Sequence, residues 1–207
     1  MITKAKCRQC RREGKKLFLK GERCNSGKCA IVKRNYVPGI HGNKGPKKLT
    51  EYGAQLREKQ QAKRIYGITE AQLKNYYGKA IKKKEDTGAK LLEMLEMRFD
   101  NVIYRLGIAK SRKQARQMVK HNFFTLNEKK ANIPSMEVKV NDRINIKKNK
   151  LSKKLVQNLD NNKDGSDLPS WITFDIKERN GKIVGKPAIK EVNPQFDVKA
   201  IVEFYSR

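Results

Sequence analysis

The 207-residue sequence has few of the residues on which enzymes, membrane spans and secreted proteins depend. It contains two histidines, and its serines and carboxylates form no catalytic pattern, so acid–base and nucleophilic catalysis have almost no candidates. No run of about 18 apolar residues occurs, and no apolar segment follows Met1. These absences predict a protein that is not an enzyme, has no small-molecule substrate and neither spans a membrane nor is secreted.

Acidic residues are scarce as well. The 21 Asp and Glu stand against 49 Lys and Arg, which leaves a net charge of +28. A chain with this charge repels itself unless a polyanion is near. Nucleic acid is the favoured partner because phosphate neutralisation releases counterions, and an anionic membrane surface is the alternative. The net charge is +13 over residues 1–50 and +11 over residues 98–160, which predicts two polyanion-facing surfaces.

Cysteine is confined to a single stretch with the spacing C-x2-C-x13-C-x4-C, formed by Cys7, Cys10, Cys24 and Cys29. Four thiolates in two close pairs are typical of a structural zinc site, and nearby cations would offset its negative charge. An iron–sulfur cluster, unmetallated thiols and a redox pair are the open alternatives. Disulfides need an oxidising compartment, which nothing in the sequence implies. We therefore expect one structural Zn²⁺ in a cytosolic or organellar protein.

Helical periodicity begins after the irregular first 45 residues. Thr69 and Gln72 form a capping box before a helix that runs to residue 81. An apolar stripe over residues 92–106 predicts another helix, bent near its Asp-Asn pair. Ser111 and Gln114 form a second capping box, which opens a short helix with one basic side.

From residue 136 the apolar period changes to two, which indicates antiparallel strands. We predict turns at Asn141-Asp142 and Asn180-Gly181, and strands at 136–140, 144–146, 171–178 and 182–184. The tail, 196–207, suits a helix slightly better than a strand.

Four stretches of the chain, in order, resemble the bacterial-type family of small-subunit ribosomal protein number four. They are CRQCRREGKKLFLKGERCNSGKCA, YVPGIHGNKGPKKLTEYGAQLREKQQAKRIYGI, RFDNVIYRLGIAKSRKQARQMVKHN and the terminal IVEFYSR. Modules similar to the third stretch also occur in tRNA synthetases, pseudouridine synthases and heat-shock proteins. Those chains carry a catalytic domain, for which this chain has no room.

The resemblance implies an α+β fold in three parts. A zinc-stapled basic arm occupies residues 1–45. A helical domain, 46–97, is closed by the C-terminal tail, 191–207. An inserted α/β RNA-binding module, 98–190, combines short helices with a small antiparallel sheet. The four cysteines match the zinc-binding branch of the family.

The resemblance also implies a structural role in the small ribosomal subunit. It implies early binding to the 5′ domain of small-subunit rRNA at a multi-helix junction, contact with ribosomal protein five, a part in decoding accuracy and a place beside the path by which mRNA enters. The location is then the cytoplasmic ribosome, with an organellar ribosome left open. A zinc-bearing nucleic-acid-binding regulator outside the ribosome is the alternative.

The sharpest RNA-binding candidates form a row four residues apart on the short basic helix, Arg112, Arg116 and Lys120, with Lys113 beside them. Arginine forks bind phosphates bidentately, whereas a merely solvated helix face is the alternative. The other candidates are the helix-capping Ser111 and basic residues nearer the N-terminus: Arg8, Arg11, Arg12, Lys44, Lys47, Lys48, Arg57, Lys63 and Arg64.

Two positions depart from the family pattern. His121-Asn122 and Asn127-Glu128 stand where relatives usually have His-Gly and Asn-Gly. Asparagine tolerates a positive φ angle, so Asn122 can replace glycine. Glutamate does so less easily, and we expect the turn at 127–130 to differ in shape.

Overall fold

The computed structural model describes residues 5–45, 48–150, 168–175 and 178–207. The chain divides into two compact units. The first unit consists of Met1–Gly88 and Pro194–Arg207, and the second of Ala89–Asn193. Helices and a small antiparallel sheet together confirm the predicted α+β class. Among the described residues, no helix has the length and apolarity to cross a membrane.

The first unit is helical. Thr50 caps α4 by accepting a hydrogen bond from the Gly53 N–H, and the predicted capping box of Thr69 and Gln72 opens α5. Gly67 ends α4 in the left-handed conformation with φ 63°. The helices are α1 Lys6–Glu13, α2 Glu22–Asn25, α3 Ala30–Lys33, α4 Glu51–Tyr66, α5 Glu70–Ile81 and the C-terminal helix Val198–Ser206, with a 3-10 turn at Gly42–Lys44.

The C-terminal helix packs against α4 and α5, which confirms the helical prediction for the tail. Aromatic pairs join the tail to the rest of the unit. Tyr205 stacks on Tyr77 with ring centroids 4.9 Å apart, and Phe196 meets the edge of Tyr66 at 6.2 Å. Such pairs contribute about 0.5–1.5 kcal/mol each beyond the area they bury.

The second unit packs helices against one sheet face. Helix α6, Thr87–Glu96, begins in the first unit and continues into the second. The other helices are α7 Phe99–Arg105, α8 Arg112–Lys120 and α9 Ile189–Val192, with a 3-10 turn at Lys148–Lys150. The strands are β1 Phe124–Leu126, β2 Lys129–Ala131, β3 Arg143–Ile146, β4 Ile172–Asp175 and β5 Asn180–Ile183.

The sheet is antiparallel throughout, in the order β2-β1-β3-β5-β4. Its inner face carries residues such as Phe124, Ile144 and Ile183, which join one buried cluster with apolar residues of α7 and α8. Phe124 meets the edge of Phe99 at 6.1 Å. This core positions α8, whose predicted apolar side of Ala115, Met118 and Val119 is buried.

The bend of the 92–106 stripe lies at Met97-Arg98, just before the Asp-Asn pair. The Phe99 and Asp100 N–H groups at the start of α7 donate to the carbonyl oxygens of Met136 and Pro134, at 2.8 and 3.1 Å. These N–H groups find their hydrogen-bond acceptors outside the helix, so α7 does not have to continue along the axis of α6.

One strand prediction and one turn prediction are wrong. Residues 136–140 form no strand: Glu137 makes an isolated bridge with Arg98, and Val138 is a single buried residue. Asn180-Gly181 is not a turn, because both residues lie in β5. Gly181 is needed for packing instead, since a Cβ atom there would lie 2.8 Å from Leu106 Cδ1.

The prediction that the β1–β2 turn differs in shape is also wrong. Asn127 and Glu128 take φ 48° and 67°, so they close a two-residue hairpin of the kind that favours Asn-Gly. The Asn127 side chain supports it by donating to Asp142 Oδ1 at 2.7 Å and accepting from the Arg143 N–H at 2.9 Å. Asn122, with φ 60°, replaces glycine as predicted.

Candidate RNA interface

Two buried carboxylates, Glu96 and Asp100, organise the arginines of the second unit. They lie on either side of the α6–α7 bend, and their residues are 0% and 4% exposed. A buried carboxylate is costly unless it is paired and hydrogen-bonded. Both acids are paired with arginines, and the pairs extend to the surface of α7 and α8.

Glu96 holds the first pair of arginines. Arg105 donates through Nε and Nη2 to its two carboxylate oxygens, at 2.8 and 3.0 Å. Asn101 donates to Glu96 Oε2 at 2.8 Å and accepts from Arg112 Nε at 2.7 Å. The Arg112 guanidinium also lies 4.5 Å from the centre of the Tyr104 ring. Arg112 Nη2 lies 3.9 Å from Glu96 Oε1, so Arg112 is oriented by three contacts.

Asp100 holds the second pair. Arg98 is 1% exposed and forms a bidentate contact with it, at 3.1 and 2.8 Å. Arg116 reaches the same carboxylate from α8, with Nη1 at 3.4 Å from Oδ2. Asp100 thus neutralises a buried arginine and anchors a more exposed one.

The arrangement presents a row of oriented guanidinium groups to solvent. The side chains of Arg105, Arg112 and Arg116 are 24%, 19% and 29% exposed. A guanidinium has five N–H donors, so it can keep one edge on a carboxylate and offer another to a phosphate oxygen. Orientation of the group before binding reduces the entropy lost on binding.

The predicted basic residues of α8 differ in how their side chains are held. Arg112 and Arg116 are anchored, whereas Lys113 and Lys120 are exposed. Ser111 caps α8 by accepting from the Gln114 N–H at 3.2 Å. The Gln114 side chain accepts from the Lys110 N–H at 2.9 Å, one residue earlier than in a full capping box.

Sequence reasoning missed Arg105 as part of this site. Its partner Glu96 is nine residues away, and no helical repeat relates the two. The available signal was Glu96 itself, an acid inside an apolar stripe that needs a cation if it is buried.

Arg57 and Arg64, predicted to bind RNA, lie on a carboxylate of the chain itself. The Glu13 side chain is 0% exposed, and Arg57 Nη1 lies 3.3 Å from its Oε1. Arg64 also pairs with Glu13 and donates to the Gln9 carbonyl at 3.3 Å. Burial raises the pKa of Glu13, and the arginines oppose this shift. These contacts join α1 to α4.

Lys63, another predicted RNA contact, pairs with Glu70 at 3.2 Å. Lys59 and the Tyr205 hydroxyl each lie 2.7 Å from Glu70 Oε1. Although burial alone would raise it, hydrogen bonds from Lys59, Tyr205 and Lys63 lower the pKa of Glu70 to about 2. Burial and then Glu70 raise the pKa of Tyr205. This cluster holds the C-terminal helix.

The remaining candidates lie in the arm and the loop that follows it. Arg11 donates to the Tyr36 carbonyl at 3.0 Å and lies 4.5 Å from the centre of its ring. The exposed cations are Arg8, Arg12, Lys44 and Lys48. Lys47 is outside the described residues.

The four cysteines line one pocket in the arm. Helix α1 supplies Cys7 and Cys10, α2 supplies Cys24, and Cys29 directly precedes α3. All four are free thiols. The Lys20 N–H donates to Cys24 Sγ at 3.4 Å. Burial is the main cause that raises the pKa of Cys10, and the three neighbouring cysteines raise it further.

The donor set suits a thiophilic metal ion, although its geometry is not that of a formed site. Within the described ranges, no three or more His, Cys, Asp and Glu side chains meet the geometry of a metal centre. Four sulfurs at one pocket nevertheless match the ligands of structural zinc. Of residues 5–45, only Cys10, Leu17, Cys24, Cys29 and Gly42 are buried. The thiols therefore occupy the place of a hydrophobic core.

Comparison with known proteins covers both units. A family model described as ribosomal protein S4/S9 N-terminal domain matches residues 1–96, and one described as S4 domain matches residues 97–144. Small ribosomal subunit protein uS4 of Acetivibrio thermocellus is 50% identical over 205 residues, 99% of this chain and 98% of its own length. The Clostridioides difficile protein of that name is 49% identical with the same coverage. The Heliobacterium modesticaldum protein is 47% identical over 97% of this chain and 96% of its own length. Because identity extends over nearly the full length of each pair, this chain belongs to the uS4 family of small ribosomal subunit proteins, as its four motifs predict.

Proposed function

We propose that this chain is a structural component of the small subunit of the cytoplasmic ribosome and binds its rRNA. The observation that carries the proposal is the row of Arg105, Arg112 and Arg116 oriented by buried carboxylates. Membership of a family of structural ribosomal proteins supports it and confirms that the chain is not an enzyme.

The chemistry of the row suits structured RNA. The groove edges of an RNA helix are read mostly through phosphates and 2′-hydroxyl groups rather than through base sequence. Guanidinium groups bind phosphates through paired N–H donors, and Lys113 and Lys120 add exposed charge beside them. Fixed arginines then set the register of the protein on the RNA, and lysines add affinity.

The resemblance carries the finer parts of the proposal. We propose that the chain binds the 5′ domain of small-subunit rRNA early, at a multi-helix junction, and so nucleates assembly of that domain. We further propose contact with ribosomal protein five, a contribution to decoding accuracy and a place beside the path by which mRNA enters. The exposed cations Lys44, at the end of the arm, and Lys48, just after it, suit the last of these.

We also propose that Cys7, Cys10, Cys24 and Cys29 hold one structural Zn²⁺. The support is a pocket lined by all four thiols in an arm whose described residues, 5–45, include a single buried aliphatic side chain, Leu17. A metal ion there would link α1, α2 and the start of α3, and would thereby keep the basic residues between the cysteines in a defined arrangement.

Measurement of rRNA binding tests the main proposal. Arg112→Gln with Arg116→Gln should weaken binding to 5′-domain rRNA and reduce the salt dependence of log K by about one unit per lost phosphate contact. Glutamine still offers a hydrogen bond to Asn101 or Asp100, which limits damage to the fold. Lys74→Gln with Lys79→Gln removes equal charge from exposed positions on α5 and is the matched control. Unchanged affinity and salt slope in the arginine variant would refute the assigned contact.

Sedimentation tests the ribosomal assignment against the regulator alternative. Most of the cellular protein should travel with the small subunit. A protein found mainly outside that fraction would favour a regulator and contradict the proposal. None of the contacts described above favours that alternative.

A further inference from the structure

The face of the sheet that points away from the core is a second basic surface. Residues paired across antiparallel strands lie on the same side, so the register identifies this face. Thr125 pairs with both Lys130 and Asn145, and Lys182 pairs with both Arg143 and Thr173. Asn145 in turn pairs with Asn180, which pairs with Asp175. The open sheet face consists of these residues, Thr125, Lys130, Arg143, Asn145, Thr173, Asp175, Asn180 and Lys182.

Its three cations differ from the arginines of the helical side. Lys130, Arg143 and Lys182 are exposed, and within the described ranges none of their side chains forms an ion pair. Arg143 and Lys182 stand directly opposite each other in the β3–β5 pair. Like charges at such positions destabilise a sheet. The free protein therefore carries a repulsion that a bound anion would relieve.

We propose that the open sheet face binds the phosphate backbone of an RNA duplex, as a second contact separate from the arginine row. The proposal rests on rRNA binding by the chain. Lys130 and Lys182 are separated by three strand spacings across the sheet, about 14 Å, and by two residues along it, about 7 Å, which makes an extended strip rather than a point contact. The hydroxyl groups of Thr125 and Thr173 and the Asn145 amide suit phosphate oxygens and 2′-hydroxyl groups.

The composition of the face argues against other occupants. None of the eight positions carries an aromatic ring, so bases of single-stranded RNA have no stacking platform there. The eight positions also lack the aromatic or aliphatic anchors that form the centre of protein–protein interfaces. The acid of this face, Asp175, lies on the edge strand β4. The exposed cations, with polar residues between them, complement a regular line of phosphates.

The test is a full-length variant, Arg143→Gln with Lys182→Gln, bound to 5′-domain rRNA. Affinity should fall, and the slope of log K against log salt should decrease by about two. The variant should lose a footprint that differs from the one lost by Arg112→Gln with Arg116→Gln. Lys74→Gln with Lys79→Gln again controls for net charge. The thermal midpoint of the free variant should stay or rise, because a repulsion is removed, whereas a structural role would lower it.

The measurements distinguish failure of rRNA binding from failure of the sheet contact. If the wild-type chain does not bind the rRNA, rRNA binding by this protein is wrong. If the wild type binds and the sheet variant keeps its affinity, salt slope and footprint, only the sheet contact is overturned. If the variant keeps rRNA affinity but no longer captures another small-subunit protein, the face binds protein, which also overturns the proposal.

Discussion

The arm and the second unit carry the same excess of positive charge but are stabilised in different ways. The net charge is +11 over residues 1–45 and +11 over residues 89–193. Among the described residues of the second unit, 19 buried apolar residues form one cluster beneath the basic surfaces. Of the five buried residues within 5–45, the described part of the arm, three are cysteines. Equal charge thus says nothing about how a segment is stabilised, and the two segments should fail under different treatments.

Their buried carboxylates differ as well. Glu13 pairs with Arg57 and Arg64 and so attaches α1 to α4 within the first unit. Glu96 pairs with Arg105, and Asp100 with Arg116, and these two arginine side chains remain 24% and 29% exposed. Carboxylate–arginine pairs thus attach one helix to another in the first unit, whereas in the second unit they orient arginines at the surface.

Metal removal should produce the largest difference between the two segments. Structural zinc contributes about 10 kcal/mol or more to small domains, so chelation or Cys24→Ser should unfold the arm. The second unit should be unaffected because its core contains no cysteine. Amide hydrogen exchange measures both at once: arm amides should lose protection, whereas those of α8 and β3 keep it.

Metal analysis supplies the control for this prediction. Protein purified without chelator should contain one zinc per chain, and the Cys24→Ser protein less. A metal-free wild type with a protected arm would show that the thiols are buried for packing alone.

Asp100→Asn should give the next largest effect. It removes the carboxylate that pairs with the buried Arg98 guanidinium at 2.8 Å, and breaking a buried ion pair costs about 3–5 kcal/mol. Trp171 is the single tryptophan, is buried and lies in the second unit, so its fluorescence during urea unfolding reports on this unit. Glu137→Gln, an exposed acid of the same unit, should change stability by less than about 0.5 kcal/mol. An equally small loss for Asp100→Asn would mean that Arg98 finds another partner.

Local signals in the sequence predicted the elements that local chemistry determines. The capping box at Thr69 marks α5, and the apolar side of α8 was identified from its spacing. The tail was predicted as a helix from its apolar residues alone. The 136–140 alternation failed because only Val138 is buried and a bridge to Arg98 replaces strand pairing.

The candidate site was less accessible to sequence reasoning for a physical reason. The sequence around a basic residue does not show whether its side chain faces RNA or pairs with an acid that is distant in sequence. Glu13 is 44 and 51 residues from Arg57 and Arg64, and only the folded chain brings them together. The sequence likewise does not show that Arg143 and Lys182 lie opposite each other, because this pairing depends on strand register.

Acid should loosen the C-terminal helix of the first unit by a smaller amount. Glu70 has a folded pKa of about 2 against an ordinary value of 4.5. A lowered carboxyl pKa contributes stability that is complete above pH about 4.5 and is lost as the pH falls toward 2. Because the Glu70 side chain is 45% exposed, solvent screening limits the contribution to about 1 kcal/mol.

Glu70→Gln tests this contribution. The variant should be less stable than the wild type at pH 7, and the difference should shrink as the pH approaches 2, as measured by the exchange of C-terminal helix amides. Glu137→Gln, in the other unit, should leave these amides unchanged at every pH. A constant difference between Glu70→Gln and wild type would show that the charge of Glu70 does not hold the helix.

The smallest effect should come from the β1–β2 turn of the second unit, where Glu128 has φ 67°. A non-glycine residue in this conformation costs about 1–2 kcal/mol, and glycine loses part of that gain through the greater entropy of the unfolded chain. Glu128→Gly should therefore stabilise the unit by about 0.5 kcal/mol, measured by Trp171 fluorescence in urea. Lys129→Gly, one residue later in β2, should destabilise it, because a strand position gains nothing from positive φ. If both variants lose stability alike, hydrogen bonding by Asn127 rather than backbone conformation determines this turn.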